Sequence, residues 1–184
     1  MKKLVILGAG TAGTMAANKL RPQLPRDEWS ITIVDQHDTH YYQPGYLFIP
    51  FGIYRPDEVT KPTKRFIPTG VDLITAEIDK VLPAENKVLL ADGEELPYDY
   101  LVIATGTTPR PDETPGMADD LGGSVHEFYT YDGAVRLAEK MRTWEGGRLV
   151  VHVTEMPIKC PVAPLEFTFL ADAFLEEQGL PDKV

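Results

Sequence analysis

Lys2-Lys3-Leu4-Val5-Ile6-Leu7-Gly8-Ala9-Gly10-Thr11-Ala12-Gly13 is the stretch whose reading decides the fold. Lys2 to Leu7 is a short apolar run that reads as a buried parallel strand, and Thr14 to Leu20 has helix-forming composition. The glycines therefore fall between a strand and a helix. In that setting Gly8 permits a tight turn, Gly10 lets the backbone approach a pyrophosphate, and Gly13 lets helix and strand pack closely. Thr11 and Ala12 complete the loop, and the helix amino end offers unpaired N–H groups and a favourable dipole to an anion. A second strand, Ser30 to Val34, ends at Asp35, placed to accept hydrogen bonds from a ribose diol. No basic residue follows it directly, so a 2′-phosphate is not expected.

Farther along, Lys87 to Leu90 and Glu94 to Pro97 flank Ala91-Asp92-Gly93, a hairpin signal. Tyr98 to Ile103 then reads as a buried strand ending in the small-residue turn Ala104-Thr105-Gly106. A domain for a nicotinamide cofactor alone would continue as strand and helix units, whereas here a β-hairpin excursion intervenes. Thr107 to Gly123 reads as a linker. A second α/β unit is expected after it: a helix from about Tyr131 to Trp144, a stop at Gly146-Gly147, and a strand over residues 148–153. No second glycine loop follows that strand. Thr154 to Pro164 instead holds three prolines, no glycine and Cys160, the only cysteine of the chain. A lone cysteine is by composition a small buried hydrophobe. In a proline-stiffened loop beside Lys159, just before a helix from Pro164 to Gln178, its surroundings favour thiolate and a redox role.

These motifs resemble the FAD-binding half of the two-dinucleotide-binding-domain flavoproteins, the disulfide oxidoreductase superfamily. Within it, Gln43-Pro44 and Met156 to Glu166, centred on Lys159-Cys160-Pro161, resemble the sulfide:quinone oxidoreductases and the related flavocytochrome sulfide dehydrogenases. The resemblance spans essentially the whole chain. It implies a Rossmann-like, three-layer α/β FAD domain with a β-hairpin excursion, over residues 1–115. The start of a second Rossmann-like unit, over 116–184, would carry the redox cysteine. It further implies FAD held by Gly8, Gly10, Thr11, Ala12, Gly13, Asp35, Pro44, Ile78, Ala104, Thr105 and Gly106, with Cys160 catalytic. In such enzymes this cysteine works with a second one from later in the chain, sulfide opening their disulfide to a persulfide while two electrons leave through the flavin to quinone. Neither that second cysteine nor one in Gly122 to Tyr129 is present, so a third-cysteine route or a covalent flavin link has no residue here. The family's greater length makes this chain read as the N-terminal part of a longer protein. Three alternatives stand beside this reading: a sulfide dehydrogenase flavoprotein serving cytochrome c, an NADH:quinone oxidoreductase of the same superfamily, and a non-catalytic FAD-binding module.

Apolar residues make up 43% and charged residues 25%, ordinary globular usage that argues against disorder. A net charge of −10 disfavours nucleic acid and anionic membrane surfaces as partners. With no long apolar run, the expected address is cytoplasmic or peripheral on the cytoplasmic face, any membrane contact lying in a missing C-terminal part. Sulfide and quinone are the expected partners, and a homo-oligomer stays open. His37, His40, His126 and His152 lack metal-ligand spacing with Cys160, so no metal is expected. His152 reads as a buried strand histidine. Asp112-Glu113 and Asp119-Asp120 read as solvated linker acids, and Glu166 as a first-turn acid that favours the helix dipole. The aromatic stretch His40 to Gly52 reads as a packed loop able to wall a planar ring.

Overall fold

A computed structural model of the chain describes residues 1–180. They form two compact units: Met1–Tyr41 with Thr60–Thr108, and Tyr42–Val59 with the residues from Pro109 onward.

The first unit is built on a parallel sheet. Lys2–Leu7 (β1) pairs with Trp29–Asp35 (β2), β2 with Asp72–Thr75 (β5), and β1 on its other side with Tyr100–Ile103 (β9), in the order β5-β2-β1-β9. The unbroken apolar run of β1 follows from burial on both faces. Leu4 and Ile6 face Thr11–Leu20 (α1), joining Ala9, Ala17, Ile31, Ile33 and Val71 in one core. Val5 and Leu7 pack on the opposite face with Val34, Val88 and Leu90. Those last two belong to the antiparallel sheet of Ile78–Leu82 (β6), Lys87–Leu90 (β7) and Glu95–Pro97 (β8). The layers are thus helix, parallel sheet and antiparallel sheet. The β7–β8 turn closes as expected: Gly93 takes φ +91°, and Asp92 Oδ1 accepts the Glu94 amide at 3.0 Å. A short antiparallel ribbon of Thr39–Tyr41 (β3) and Thr60–Pro62 (β4) brackets the segment that leaves for the second unit. α1 begins at Thr11, a turn earlier than its composition suggests, because the glycine loop itself enters the helix.

The second unit is helical. The aromatic stretch read as a loop forms the 3-10 helix Gln43–Phe51. Its Leu47, Phe48 and Phe51 pack with Tyr131–Thr143 (α2) and Ala163–Glu177 (α3) around Leu137, Met141, Phe167, Ala171 and Leu175. Phe167 stacks on Phe128 with ring centroids 4.9 Å apart. On α3, Phe167, Ala171 and Leu175 are fully buried, with Leu170 and Phe174 at the margin of the core. Gly179, at φ +71°, ends that helix with its amide on Glu176 O, and Pro181 just beyond it lies outside the described residues.

Three expectations need correction here. The strand read as buried over Tyr98 to Ile103 is the edge strand β9, with Tyr100 and Ile103 exposed because no further strand covers that side among the described residues. In the second unit, residues 148–153 form no strand. A lone extended run has no ladder to join, and among the described residues no other strand of this unit offers one; Val150, Val151 and Val153 stay exposed. His152 is accordingly exposed rather than a buried strand histidine.

Candidate functional site

The candidate cofactor residues of the first unit gather at the carboxyl ends of the parallel strands, where open α/β sheets bind ligands. Gly8-Ala9-Gly10 follows β1, Asp35 ends β2 and Ala104 follows β9. Ile78 begins β6, three residues beyond the end of β5, and is half-buried in the second core.

Each glycine of the loop has its own reason. Gly8 sits at φ +94°, and a Cβ there would lie 2.4 Å from Ala104 O, so β1 and the Ala104-Thr105-Gly106 turn touch only because Gly8 has no side chain. A Cβ on Gly13 would lie 1.8 Å from Gly8 O, which is why α1 can seat against the loop. Gly10 differs: nothing lies within 4 Å of its Cβ position, its φ is −70°, and it is exposed along with Thr11 and Ala12. Gly10 is the N-cap of α1, no side chain caps that end, and the first turn carries no acid. The helix amino end is thus without a side-chain cap, carries no acid in its first turn and is open in front of Gly10. Those are the properties that a pyrophosphate between two nucleosides requires.

Asp35 does more than end β2. Its Oδ2 accepts the Ala9 amide at 2.6 Å and its Oδ1 the His37 amide at 2.9 Å, so the carboxylate ties the glycine loop to the second strand. Each oxygen retains a lone pair for a diol. The turn after β9 is anchored by the Ala104 amide on Leu7 O at 2.7 Å, and Gly106 takes φ +77°.

In the second unit, Pro44 opens the 3-10 helix Gln43–Phe51 and Cys160 lies in the loop before α3. Lys159 Nζ donates to Gln43 Oε1, bringing Gln43-Pro44 and Lys159-Cys160 together across 116 positions of sequence. Cys160 is exposed and takes φ +53°, a left-handed conformation uncommon outside glycine and asparagine. Its carbonyl accepts the Ala163 amide at 3.0 Å, placing it just ahead of α3. The Tyr129 hydroxyl donates to the same carbonyl at 3.4 Å. Burial, and then its nearness to Cys160, push the Tyr129 phenol above the ordinary tyrosine range. Glu166 lies in the first turn of α3, as read. Among the described residues no group of three or more His, Cys, Asp or Glu side chains could hold a metal ion, and no helix is long and apolar enough to cross a membrane.

Sequence reasoning passes over Gln43 as a partner of the cysteine loop, and over His40, whose Nδ1 lies 3.0 Å from Ala9 O. The signal for both was faint: a polar side chain inside an aromatic run, in each case meeting a distant part of the chain.

Comparison with known proteins follows the same lines. The family model "Pyridine nucleotide-disulphide oxidoreductase" matches residues 2–151. The chain is 33% identical to the mitochondrial sulfide:quinone oxidoreductase of Dictyostelium discoideum, covering 99% of this chain and 40% of that protein. To the mitochondrial sulfide:quinone oxidoreductase of Mus musculus it is 25% identical, over 96% of this chain and 39% of the relative. The crystal structure of the sulfide:quinone oxidoreductase from Aquifex aeolicus superposes with a TM-score of 0.81 at 21% identity, covering all of this chain and 42% of that one, a likeness of fold. The chain thus spans about 40% of the length of the curated relatives it matches.

Proposed function

The chain belongs to the pyridine nucleotide-disulphide oxidoreductase family, and from that premise we propose that it carries the FAD-binding region and one redox cysteine of a flavin-dependent sulfide:quinone oxidoreductase. The observation that bears the most weight is the loop ahead of α3. Where a nicotinamide-binding relative needs a glycine turn, this chain presents an exposed cysteine, stiffened by prolines and tied through Lys159 to Gln43 beside Pro44.

On this reading, Gly10, Thr11, Ala12 and Gly13 hold the pyrophosphate on backbone amides, Gly8, whose own amide is donated to Val34 O, makes the turn that lets the cofactor in, and Asp35 takes a ribose diol. Ile78 and the Ala104-Thr105-Gly106 turn flank the nucleotide, and Pro44 lies by the flavin ring. The loop fits that role because the space before Gly10 is open and the amino end of α1 has no competing cap. The flavin supplies two-electron transfer between sulfur and quinone. The chain's own part in the sulfur chemistry falls to Cys160. Its Sγ shares a disulfide with a second cysteine from outside these residues; sulfide attacks that bond, the S–S bond breaks, one sulfur keeps the incoming atom as a persulfide and the other leaves as a thiolate. Cys160 is the only cysteine here, so these 184 residues by themselves should bind flavin weakly or in part and should not turn over sulfide.

The test is Cys160→Ser in the complete enzyme. Serine is nearly isosteric and the site is an exposed loop, so flavin content should be unchanged. Sulfide-dependent bleaching of the flavin should fall at least ~10²-fold, the scale of losing an essential nucleophile. Near-normal sulfide oxidation by the serine variant would refute the assignment of Cys160.

A further inference from the structure

We propose that His40 is a positioning residue for the glycine loop, fixing the Ala9–Gly10 peptide through a hydrogen bond from its Nδ1 to Ala9 O; its bearing on the cofactor rests on the flavin reading above. Ala9 is buried between two glycines, the residues that hold a backbone least firmly. Two side chains from other elements hold it instead. Asp35, at the end of β2, takes the Ala9 amide at 2.6 Å, and His40, in β3, meets the Ala9 carbonyl at 3.0 Å.

The consequence follows from the planar trans peptide, in which C=O and the next N–H point in opposite directions. Asp35 draws the Ala9 N–H towards β2, so the Gly8 carbonyl must point the other way. It does: that oxygen is the atom a Cβ on Gly13 would strike. His40 draws the Ala9 carbonyl towards itself and so turns the Gly10 N–H away from β3. Asp35 therefore sets the Gly8–Ala9 peptide and His40 the Ala9–Gly10 peptide. The second is the one whose N–H belongs to the glycine with open space in front of it.

His40 is itself held. Its ring packs on Phe66 with centroids 4.4 Å apart, and the Phe66 carbonyl accepts Asn18 Nδ2 of α1 at 2.8 Å. The same amide donates to Thr14 O at 2.8 Å, within the first turns of α1. The closed path α1, Phe66, His40, Ala9 returns to the helix whose amino end the loop forms. A carbonyl only accepts, so the His40 Nδ1 must carry the hydrogen. In a neutral ring this is the tautomer that free imidazole side chains favour less, which gives the bond a spectroscopic signature.

The experiment has two arms. In the first, 15N shifts of the His40 ring are read in the wild-type protein, with and without FAD. A protonated Nδ1 and a bare Nε2 are expected, and a neutral ring protonated at Nε2 would overturn the proposal. In the second, FAD dissociation constants are measured for three variants. His40→Phe keeps a ring against Phe66 without a donor and should weaken FAD about 10-fold, the effect of one hydrogen bond in a preorganised loop. His40→Asn, whose amide nitrogen sits where Nδ1 was, should restore most of it, whereas His40→Gln, one methylene longer, should not. A role in packing alone reverses the pattern, with His40→Phe normal and His40→Asn impaired, and would also overturn the proposal. Wild-type protein without affinity for FAD would bring down the flavin reading alone, because the ring tautomer still decides the bond to Ala9.

Discussion

Three glycines within six residues sit in three different environments, and their substitutions should separate accordingly. In a helix, alanine is favoured over glycine by about 1 kcal/mol. At Gly13 that preference loses, because the new methyl would lie 1.8 Å from backbone oxygen Gly8 O and neither partner is a movable side chain. Gly13→Ala is expected to destabilise the fold by about 1–3 kcal/mol, the cost of overpacking, read as a lower urea midpoint. Gly10→Val is the opposite case. Its φ of −70° suits any residue and its Cβ meets nothing within 4 Å, so stability should stay within about 0.5 kcal/mol of wild type while FAD retention is lost. A yellow Gly10→Val protein with full flavin occupancy would sink the cofactor assignment. The turn at Gly8 and the packing contact at Gly13 were legible from spacing alone, because each admits only glycine. The left-handed backbone at Cys160 was not, since no residue preference announces it.

Elements whose hydrogen bonds close locally were readable, and so were the parallel strands β1, β2 and β9, whose partners in the sheet are present. The helices needed only composition, periodicity and a stop, and the β7–β8 hairpin only its Asp-Gly turn. Residues 148–153 have strand composition, but a parallel strand completes its hydrogen bonds only on a neighbour distant in sequence, and composition says nothing of whether one is there. The 3-10 helix Gln43–Phe51 was hidden for a related reason, its apolar positions answering to α2 and α3 rather than to a period of its own. Among the local signals, the start of α2 offers a sharp test. Thr130 Oγ1 accepts the Gly133 amide at 3.0 Å and donates to Glu127 Oε1 at 2.5 Å, while Glu127 Oε2 takes the amides of Tyr129 and Thr130. Thr130→Ala removes the cap and is expected to cost about 1 kcal/mol. Thr130→Ser, which keeps the hydroxyl, should cost less than half of that, and equal losses in chemical denaturation would show that the methyl rather than the cap matters.

At the scale of the molecule, the chain leaves its first compact unit at Tyr41 and re-enters at Thr60, contributing Tyr42–Val59 to the second. Linear reading cannot see such an excursion, since nothing in residues 42–59 states which later helices they meet. What the sequence does state is where a dinucleotide has amides to bind: one glycine loop at residues 8–13, and in 154–164 no glycine and three prolines that lack an N–H. Ligand linkage turns that asymmetry into a measurement. A ligand that binds only the folded protein stabilises it by about 2.7 kcal/mol when present at 100 times its dissociation constant. FAD at that excess should raise the melting temperature by several degrees and slow amide exchange first in β1 and α1, whereas NADH at millimolar concentration should leave both unchanged. A saturable NADH-induced shift, abolished by substitutions within residues 154–164, would transfer the second dinucleotide to the cysteine loop and make the protein an NADH-consuming member of its family. The absence of that shift, together with a flavin that sulfide bleaches and NADH does not, is the outcome expected of a chain with a thiol and no glycine in residues 154–164.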